Sequence, residues 1–204
     1  MLYDFTILGL RPNQLGAVMK KLPSALNETI KEGALLGCFS CEFGVLNRFA
    51  VLIAYRDEAA AQSDRAAMLK TGEIYGVAEH LGSFERMICK PFSYMPDIQA
   101  GPYGPYYEIR TYGVAPGGLQ ETSDAWGKVV PRRQQISKLL TVMGSIDAAP
   151  TKMIHIWPYR TVEERMAARA QASREGIWPP PGGSTHLISM QSDLFVATAF
   201  SPLS

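Results

Sequence analysis

The sequence of 204 residues lacks a surplus of either charge, because 20 lysines and arginines stand against 19 aspartates and glutamates, a formal net charge of +1. No basic stripe interrupts this balance, so nucleic acid is not an expected partner. The most apolar stretch, Phe49–Tyr55, is far too short to span a bilayer. Three cysteines give no disulfide framework, and Met1–Asp4 lacks the basic and apolar segments of a signal peptide. We therefore expect a reduced, cytoplasmic protein with no membrane partner.

The sequence also lacks the common short motifs of catalysis and metal binding. It contains no glycine-rich phosphate loop, no G-x-S-x-G elbow and no H-E-x-x-H helix. Cys38 and Cys41 form a single C-x-x-C pair, but residues i and i+3 of a predicted strand face opposite ways, and a structural zinc site needs further ligands. The three histidines are widely spaced. We predict no metal and no cofactor.

An internal repeat is the main positive feature of the chain. Matching segments recur at one spacing, with Tyr3-Asp4-Phe5 matched by Tyr107-Glu108-Ile109 and Tyr55-Arg56 matched by Tyr159-Arg160 (positions 3 and 107, 55 and 159). Such a period is longer than the 20–50 residues of solenoid repeats. We predict a first domain at 1–95, a linker at 96–105 and a second domain at 106–204. The second copy carries an extra Pro179–Gly183 tract.

Each half has the predicted order β-α-β-β-α-β. Apolar periodicity and turn residues predict these strands: Leu2–Leu10, Ala34–Phe43, Leu46–Tyr55 and Phe84–Phe92, then Tyr106–Val114, Leu139–Ile146, Lys152–Tyr159 and Asp193–Phe200. Asp57 and Thr161 are predicted helix N-caps, a kink is expected at Pro23 and an interruption at Pro131, and a short helix is predicted over 73–81. The order is ferredoxin-like, so we expect an α+β fold in which two antiparallel sheets pair and enclose a barrel-like space.

Strand alternation groups six polar or aromatic side chains of the second half on common faces: Glu108, Arg110, Tyr112, His155, Trp157 and Tyr159. The opposite faces are aliphatic and suit helices, so we expect the polar faces to point into the enclosed space. The equivalent positions of the first half are mostly apolar, for example Val51 and Ile53. A pocket in the barrel is therefore expected to be lined mainly by the second domain, with the first domain supplying apolar wall.

In an enzyme, the predicted catalytic residues are His155 as acid or base, since its ordinary pKa lies near neutrality, and Arg110 as the group that holds an anionic oxygen. The predicted ligand-binding residues are Glu108, Tyr112, Trp157 and Tyr159.

Each of these residues also has a structural interpretation. Glu108 and Arg110 lie two residues apart on one strand face and could simply pair. His155, between two isoleucines, could be a hydrogen-bonded interior histidine. Trp157 and Tyr159 could serve in packing alone.

Several segments resemble NIPSNAP domains. Glu42–Asn47 resembles their E-x-G-x-L-N turn, Tyr107–Tyr112 their opening Y-E-[LI]-R-T-Y, His155–Tyr159 their H-[IL]-W-x-Y segment, and Phe200–Leu203 their closing F-S-P-L. The resemblance covers nearly the whole chain as two tandem domains. It implies the dimeric α+β barrel fold, in which ferredoxin-like units pair face to face. Neither copy carries the full motif set, because the first has Asp4-Phe5-Thr6 at the opening and the second lacks the turn.

The resemblance does not fix a reaction, since similar barrels include monooxygenases without cofactors, haem-handling proteins and binding proteins. The leading hypothesis is a small-molecule binding protein. One alternative is a cofactor-independent monooxygenase or another small-molecule enzyme, and the other is a non-catalytic protein-interaction module. We also expect a homo-oligomer.

Overall fold

The computed structural model describes residues 1–204 and contains eight strands and four helices. The first half comprises β1 (Leu2–Leu10), α1 (Leu15–Thr29), β2 (Ala34–Phe43), β3 (Arg48–Tyr55), α2 (Glu58–Thr71) and β4 (Leu81–Pro91). The second half comprises β5 (Tyr106–Val114), α3 (Leu119–Arg133), β6 (Thr141–Ser145), β7 (Lys152–Tyr159), α4 (Val162–Arg174) and β8 (Leu187–Ala197). None of the helices is both long enough and apolar enough to cross a membrane.

The two halves have the same strand order, and their sheets join edge to edge. The first sheet runs β4-β1-β3-β2 and the second β8-β5-β7-β6. At one seam β2 pairs with β8, from Phe39 opposite Ala197 to Phe43 opposite Leu194, and at the other seam β4 pairs with β6. The predicted α+β fold of two ferredoxin-like units is thus confirmed, and the eight antiparallel strands close into a barrel within a single chain.

The inside of the barrel is filled by large apolar side chains from both halves. The buried residues of this interior cluster include Tyr3, Phe5, Phe39, Leu52, Tyr107, Ile109, Ile154, Ile156 and Phe195. A barrel of eight strands is just wide enough for side chains to fill it, and here the cavity at one end measures only about 80 Å³. The barrel interior therefore holds no ligand-sized space.

The face assignment predicted for the second sheet is wrong. Glu108, Arg110, Tyr112, His155, Trp157 and Tyr159 lie on the outer, helix-covered face, where Trp126 of α3 and Ala168 of α4 pack against Tyr112, Trp157 and Tyr159. The physical reason is closure of the barrel. A narrow closed interior excludes water, so it takes the aliphatic faces, and charged groups there would lose their hydration without compensation.

The predicted bounds of β1, β2, β5 and β7 are confirmed. So are the two caps, because the Asp57 side chain accepts from the Ala60 N–H at 2.9 Å and Thr161 accepts from the Glu164 N–H at 3.0 Å. Each cap satisfies one of the backbone donors that a helix start leaves free.

Other local predictions fail for identifiable reasons. The interruption expected at Pro131 is wrong, since α3 continues through it with Trp126 and Val130 buried on its inner side. The kink expected at Pro23 stays a prediction, at a proline that lies inside α1. The helix predicted over 73–81 is reduced to a 3₁₀ turn at Ala78–His80, because Tyr75 and Gly76 adopt positive φ angles that no α-helix accommodates. β8 begins at Leu187, earlier than predicted.

Candidate functional site

Glu108 of β5 is the centre of a charged network on the outer face of the second sheet. Its carboxylate is almost wholly buried, and one oxygen, Oε1, accepts from Arg165 Nη2 at 2.7 Å and from Ser192 Oγ at 2.9 Å. Arg110 Nε lies 3.2 Å and Arg169 Nη1 3.4 Å from the same oxygen. Burial raises the pKa of Glu108, but the hydrogen bond from Arg165 and the three guanidinium charges outweigh burial and lower it overall. Glu108 is therefore ionised at neutral pH.

Arg165 and Arg169 reach the sheet because the side chains on the inner side of α4 are small. The buried residues of α4 are Ala168 and Ala172, which fill little space. Arg165 and Arg169 are one helical turn apart, so both project from the same side of the helix towards Glu108. Small side chains thus leave room for two long cationic ones.

Positive charge is in excess at this network. Glu108 is the only carboxylate that forms an ion pair with Arg110, Arg165 or Arg169, so three cations share one anion and two positive charges are left uncompensated. Nearby, Arg133 is also buried and has no carboxylate partner. Its guanidinium carbon lies 4.6 Å from the ring centroid of Trp157, and burial lowers its pKa.

A cavity of about 370 Å³ opens beside the network. Arg110 and Arg169 supply its charge, and Tyr112, Trp126 and Trp178 supply aromatic surface. The Pro-Gly tract that the first copy lacks forms another wall, through Pro179, Pro180 and Gly183, and Leu187 and Met190 of β8 complete it. We call this space the arginine pocket. All of its lining residues belong to the second half of the chain.

His155 lies behind the arginine pocket and does not line it. The rings of Tyr112 and Trp126 lie between the imidazole and the cavity. Each ring centroid is 4.7 Å from that of the imidazole, and each ring packs roughly edge-to-face against it. Trp157 Nε1 donates to His155 Nδ1 at 2.6 Å, which leaves the imidazole proton on Nε2, an atom with no hydrogen-bond partner. Complete burial, with the charges of Arg110 and Arg169, lowers the pKa of His155 well below its ordinary value. The side chain is neutral at physiological pH.

The structure brings the six predicted site residues together but divides them into two layers. Arg110 and Tyr112 border the cavity, and Arg110 Nη1 donates to the Tyr112 hydroxyl at 2.6 Å. Glu108 anchors the arginines from the side. His155, Trp157 and Tyr159 are fully enclosed beneath. Their roles as catalytic or binding residues stay predictions.

Sequence reasoning missed several side chains that complete the site, namely Arg165, Arg169, Trp126, Trp178 and Arg133. Two signals were present. The spacing of Arg165 and Arg169 puts both on one helix face, and the Pro179–Gly183 tract is an insertion beside an otherwise constant repeat.

The equivalent position of the first half carries a balanced pair instead. Asp4 is buried and accepts from Arg86 and from Thr6 Oγ, the latter at 2.7 Å. Tyr75 donates to or accepts from Thr6 at 3.4 Å. One carboxylate here meets one arginine, so no surplus charge remains, and none of the larger cavities opens at this position.

Taken together, the two β-α-β-β-α-β units and their closed barrel define a protein of the dimeric α+β barrel class. The family model for NIPSNAP matches the chain twice, at residues 3–96 and 107–202. The chain therefore belongs to the NIPSNAP family.

Curated relatives carry the same family name. The chain is 23% identical over 224 residues to a protein of Caenorhabditis elegans named for NipSnap, a match that covers 100% of this chain and 41% of that protein. It is 28% identical over 91 residues to Protein NipSnap of Drosophila melanogaster, covering 45% of this chain and 32% of that protein. The chain thus spans less than half the length of these relatives.

Solved structures share the fold along nearly the whole chain. An anthrone oxidase-like protein matches with a TM-score of 0.74 and 15% identity, covering 97% of this chain and 91% of that one. A proposed monooxygenase of Lactobacillus acidophilus matches with a TM-score of 0.66 and 12% identity, covering 96% and 93%. At these identities the likeness concerns the fold alone.

Proposed function

We propose that this chain consists of two NIPSNAP domains, 1–95 and 106–204, joined by a linker, and that the second domain binds a small aromatic anion in the arginine pocket. The observation that carries the proposal is the surplus of two positive charges beside a cavity with aromatic walls. Uncompensated charge in a partly buried setting is costly unless a counter-charge arrives. A ligand anion supplies that counter-charge.

The walls of the pocket narrow the chemistry of the ligand. Arg110 and Arg169 present planar guanidinium groups, which suit a carboxylate or phenolate oxygen. Tyr112, Trp126 and Trp178 offer ring faces and edges for stacking on a flat ring. The volume of about 370 Å³ lies at the lower end of the range for small-molecule sites. A compound of one to three fused aromatic rings with one acidic oxygen therefore matches the charge, the aromatic walls and the volume of the pocket.

The test is a calorimetric titration with benzoate and 2-naphthoate, followed in parallel by quenching of tryptophan fluorescence. We expect both carboxylates to bind and the uncharged benzamide to bind at least tenfold more weakly. Arg169→Gln lowers benzoate affinity by about tenfold, because it removes one of two cations at the pocket. Arg160→Gln is the matched control, since Arg160 is 82% exposed and pairs only with Glu164. Equal binding of benzoate and benzamide would contradict the proposal.

A second candidate function is oxidation of a phenol or enol by dioxygen without a cofactor. It is supported by the fold shared with an anthrone oxidase-like protein and with a proposed monooxygenase, and by cations suited to hold an enolate oxygen. The electron-rich enolate reacts with dioxygen at its carbon, where one oxygen atom becomes the new carbonyl while the two hydrogens of the anthrone methylene leave with the other oxygen atom as water. Anthrone is the probe, and oxygen consumption with appearance of anthraquinone is the measurement. Arg110→Gln is expected to slow the reaction. Absence of turnover with retained benzoate binding would leave the protein a binder.

A further inference from the structure

A second cavity borders the Glu108 network, and its volume is about 310 Å³. It lies at the seam between β2 and β8, beside the start of α4, and we call it the seam cavity. Its apolar lining residues are Phe43, Val162 and Leu194, its polar ones are Glu108, Arg165, Ser192 and Asp193, and Gly44 completes the lining. The seam cavity and the arginine pocket share no lining residue.

The two oxygens of the Glu108 carboxylate differ in their hydrogen bonds. Oε1 accepts from Arg165, Arg169 and Ser192, whereas Oε2 accepts no hydrogen bond from the protein. Glu108 is only 1% exposed, and of the two spaces beside the network it borders the seam cavity alone. An ionised carboxylate accepts hydrogen bonds at both oxygens, and a buried polar atom without a partner is costly. Oε2 is therefore an acceptor for a donor group in the seam cavity.

Two other polar groups of the seam cavity already have partners. Asp193 Oδ1 lies 2.9 Å from Arg48 Nη2, and Asp193 Oδ2 accepts from the Gln191 side chain at 2.7 Å. Ser192 Oγ donates to Glu108 Oε1 at 2.9 Å. Neither Asp193 nor Ser192 therefore competes with Glu108 Oε2 for a donor that enters the cavity.

Arg165 borders the seam cavity with donors to spare. Its guanidinium group donates a single hydrogen bond, to Glu108 Oε1, whereas an arginine carries five N–H donors. The Arg165 side chain keeps 26% of its surface exposed. The cavity thus combines one acceptor without a partner, Glu108 Oε2, with a cationic donor beside the same carboxylate.

These two groups define the chemical class of the ligand. A hydroxyl both donates and accepts, so one hydroxyl oxygen can donate to Glu108 Oε2 and accept from Arg165. An ammonium group only donates, and it would add a cation to a network that already holds two uncompensated positive charges. A carboxylate only accepts, so it would leave Oε2 without a donor and place a second negative charge beside it.

We propose that the seam cavity binds an uncharged alcohol, with the hydroxyl between Glu108 Oε2 and Arg165 and the hydrocarbon part against Phe43, Val162 and Leu194. The volume of about 310 Å³ lies at the lower end of the range for small-molecule sites, which suits an alcohol with a single ring. This site is separate from the arginine pocket, and its existence does not rest on the binding of aromatic anions there.

Titrations followed by protein NMR test the site with cyclohexanol, cyclohexanone and cyclohexylammonium, which share a ring and differ in the polar group. Cyclohexanol should shift the backbone amide resonances of Gly44, Arg165 and Leu194. It should bind about tenfold more tightly than cyclohexanone, because the ketone cannot donate to the ionised carboxylate. Cyclohexylammonium should bind no better than the ketone. None of these probes is an aromatic anion, so the outcome is independent of benzoate binding.

Glu108→Gln changes the acceptor of the seam cavity into a donor. Arginines only donate, so they hold the amide oxygen of the glutamine, and its NH₂ group takes the place of Oε2. The preference for cyclohexanol over cyclohexanone should therefore disappear while the ketone still binds, which loss of folding cannot produce.

Val162→Trp keeps Glu108 and fills the seam cavity with a larger side chain. The affinity for cyclohexanol should fall at least tenfold, because the ring loses its place against Phe43 and Leu194. Met166→Trp is the matched control, at a 62% exposed residue of the same helix, and should leave the affinity unchanged. Circular dichroism checks that each variant is folded.

Several results would overturn the proposal. They are equal binding of cyclohexanol and cyclohexanone to the wild type, a preference for the alcohol that persists in Glu108→Gln, and unchanged cyclohexanol affinity in Val162→Trp. Failure of cyclohexanol to bind up to its solubility limit has the same meaning. So do resonance shifts confined to residues of the arginine pocket, such as Trp178 and Met190.

Discussion

Replacing Glu108 by glutamine removes the single negative charge shared by Arg110, Arg165 and Arg169 while keeping the shape of the side chain. Breaking a buried ion pair by removing one partner costs about 3–5 kcal/mol. Because Arg165 and Arg169 keep 26% and 37% of their side-chain surface exposed, water offsets part of the loss, and we expect the lower value. In a chain of this length about 3 kcal/mol corresponds to a fall of about 6–12 °C in Tm.

The same substitution is expected to strengthen anion binding. Without Glu108 the arginines have no competing carboxylate, and removing a nearby like charge favours a bound anion by on the order of 1–2 kcal/mol at an effective dielectric constant of about 20. Benzoate should therefore bind Glu108→Gln about five- to thirtyfold more tightly and recover part of the lost Tm. Calorimetry and differential scanning fluorimetry measure the two effects.

The pH dependence has a definite sign. The folded pKa of Glu108 lies below its ordinary value of 4.5, so its contribution to the free energy of unfolding is fully present above about pH 4.5. It is lost as the pH falls from there through the folded pKa. Glu108→Gln should abolish this part of the acid dependence. Glu164→Gln, at a more exposed pair with Arg160, is the control and should change Tm by no more than about 2 °C. A Glu108→Gln protein with unchanged Tm, or with weaker benzoate binding, would refute the reasoning.

Three further predictions concern the aromatic layer and the helix caps. Because the pKa of His155 lies well below 6.5 in the folded protein, its ring resonances should not titrate between pH 6 and 8 by NMR, and stability should fall as the pH drops below about 6.5 towards the lowered pKa, a slope that His155→Gln removes. Trp178→Ala removes a wall of the arginine pocket and a ring 5.9 Å from the Arg133 guanidinium, so benzoate affinity should fall at least tenfold by calorimetry; unchanged affinity would exclude binding at this wall. Asp57→Ala removes the α2 cap and should cost about 1 kcal/mol in chemical denaturation, with Asp57→Asn nearly neutral.

The fold was predictable because strand period, turn residues and the repeat all indicate the same arrangement. β5 lies between the glycine- and proline-rich stretch that ends at Pro105 and the turn at Pro116, and β1 is rich in β-branched and aromatic residues and ends just before Pro12, which indicates the type and the bounds together. The orientation of the faces was not predictable from one strand. Whether Ile156 or His155 faces inward depends on whether the sheet closes, and closure is decided at the β2–β8 and β4–β6 seams, far apart in sequence.

The candidate site was predictable in its strand residues and not in its helix and loop residues. Glu108, Arg110 and Tyr112 share a strand, so alternation alone groups them. Arg165 and Trp178 reach the same place from α4 and from an irregular segment. The positions of Arg165 and Trp178 depend on how the small side chains of α4 pack against the sheet and on the path of the inserted tract. Both are tertiary properties that local sequence patterns do not encode.

The closure of both seams within one chain also allows the two halves to differ. In a barrel made of two identical chains, every substitution appears twice, so a cluster like that of Glu108 would form on both sheets. Here the first sheet keeps the balanced Asp4–Arg86 pair while the second accumulates unbalanced arginines. Residues 95–105 lie outside all helices and strands, so the covalent connection between the halves contributes no strand to the barrel. Because both halves belong to one chain, one half can keep a compensated ion pair while the other departs from it, with one arginine pocket in each barrel.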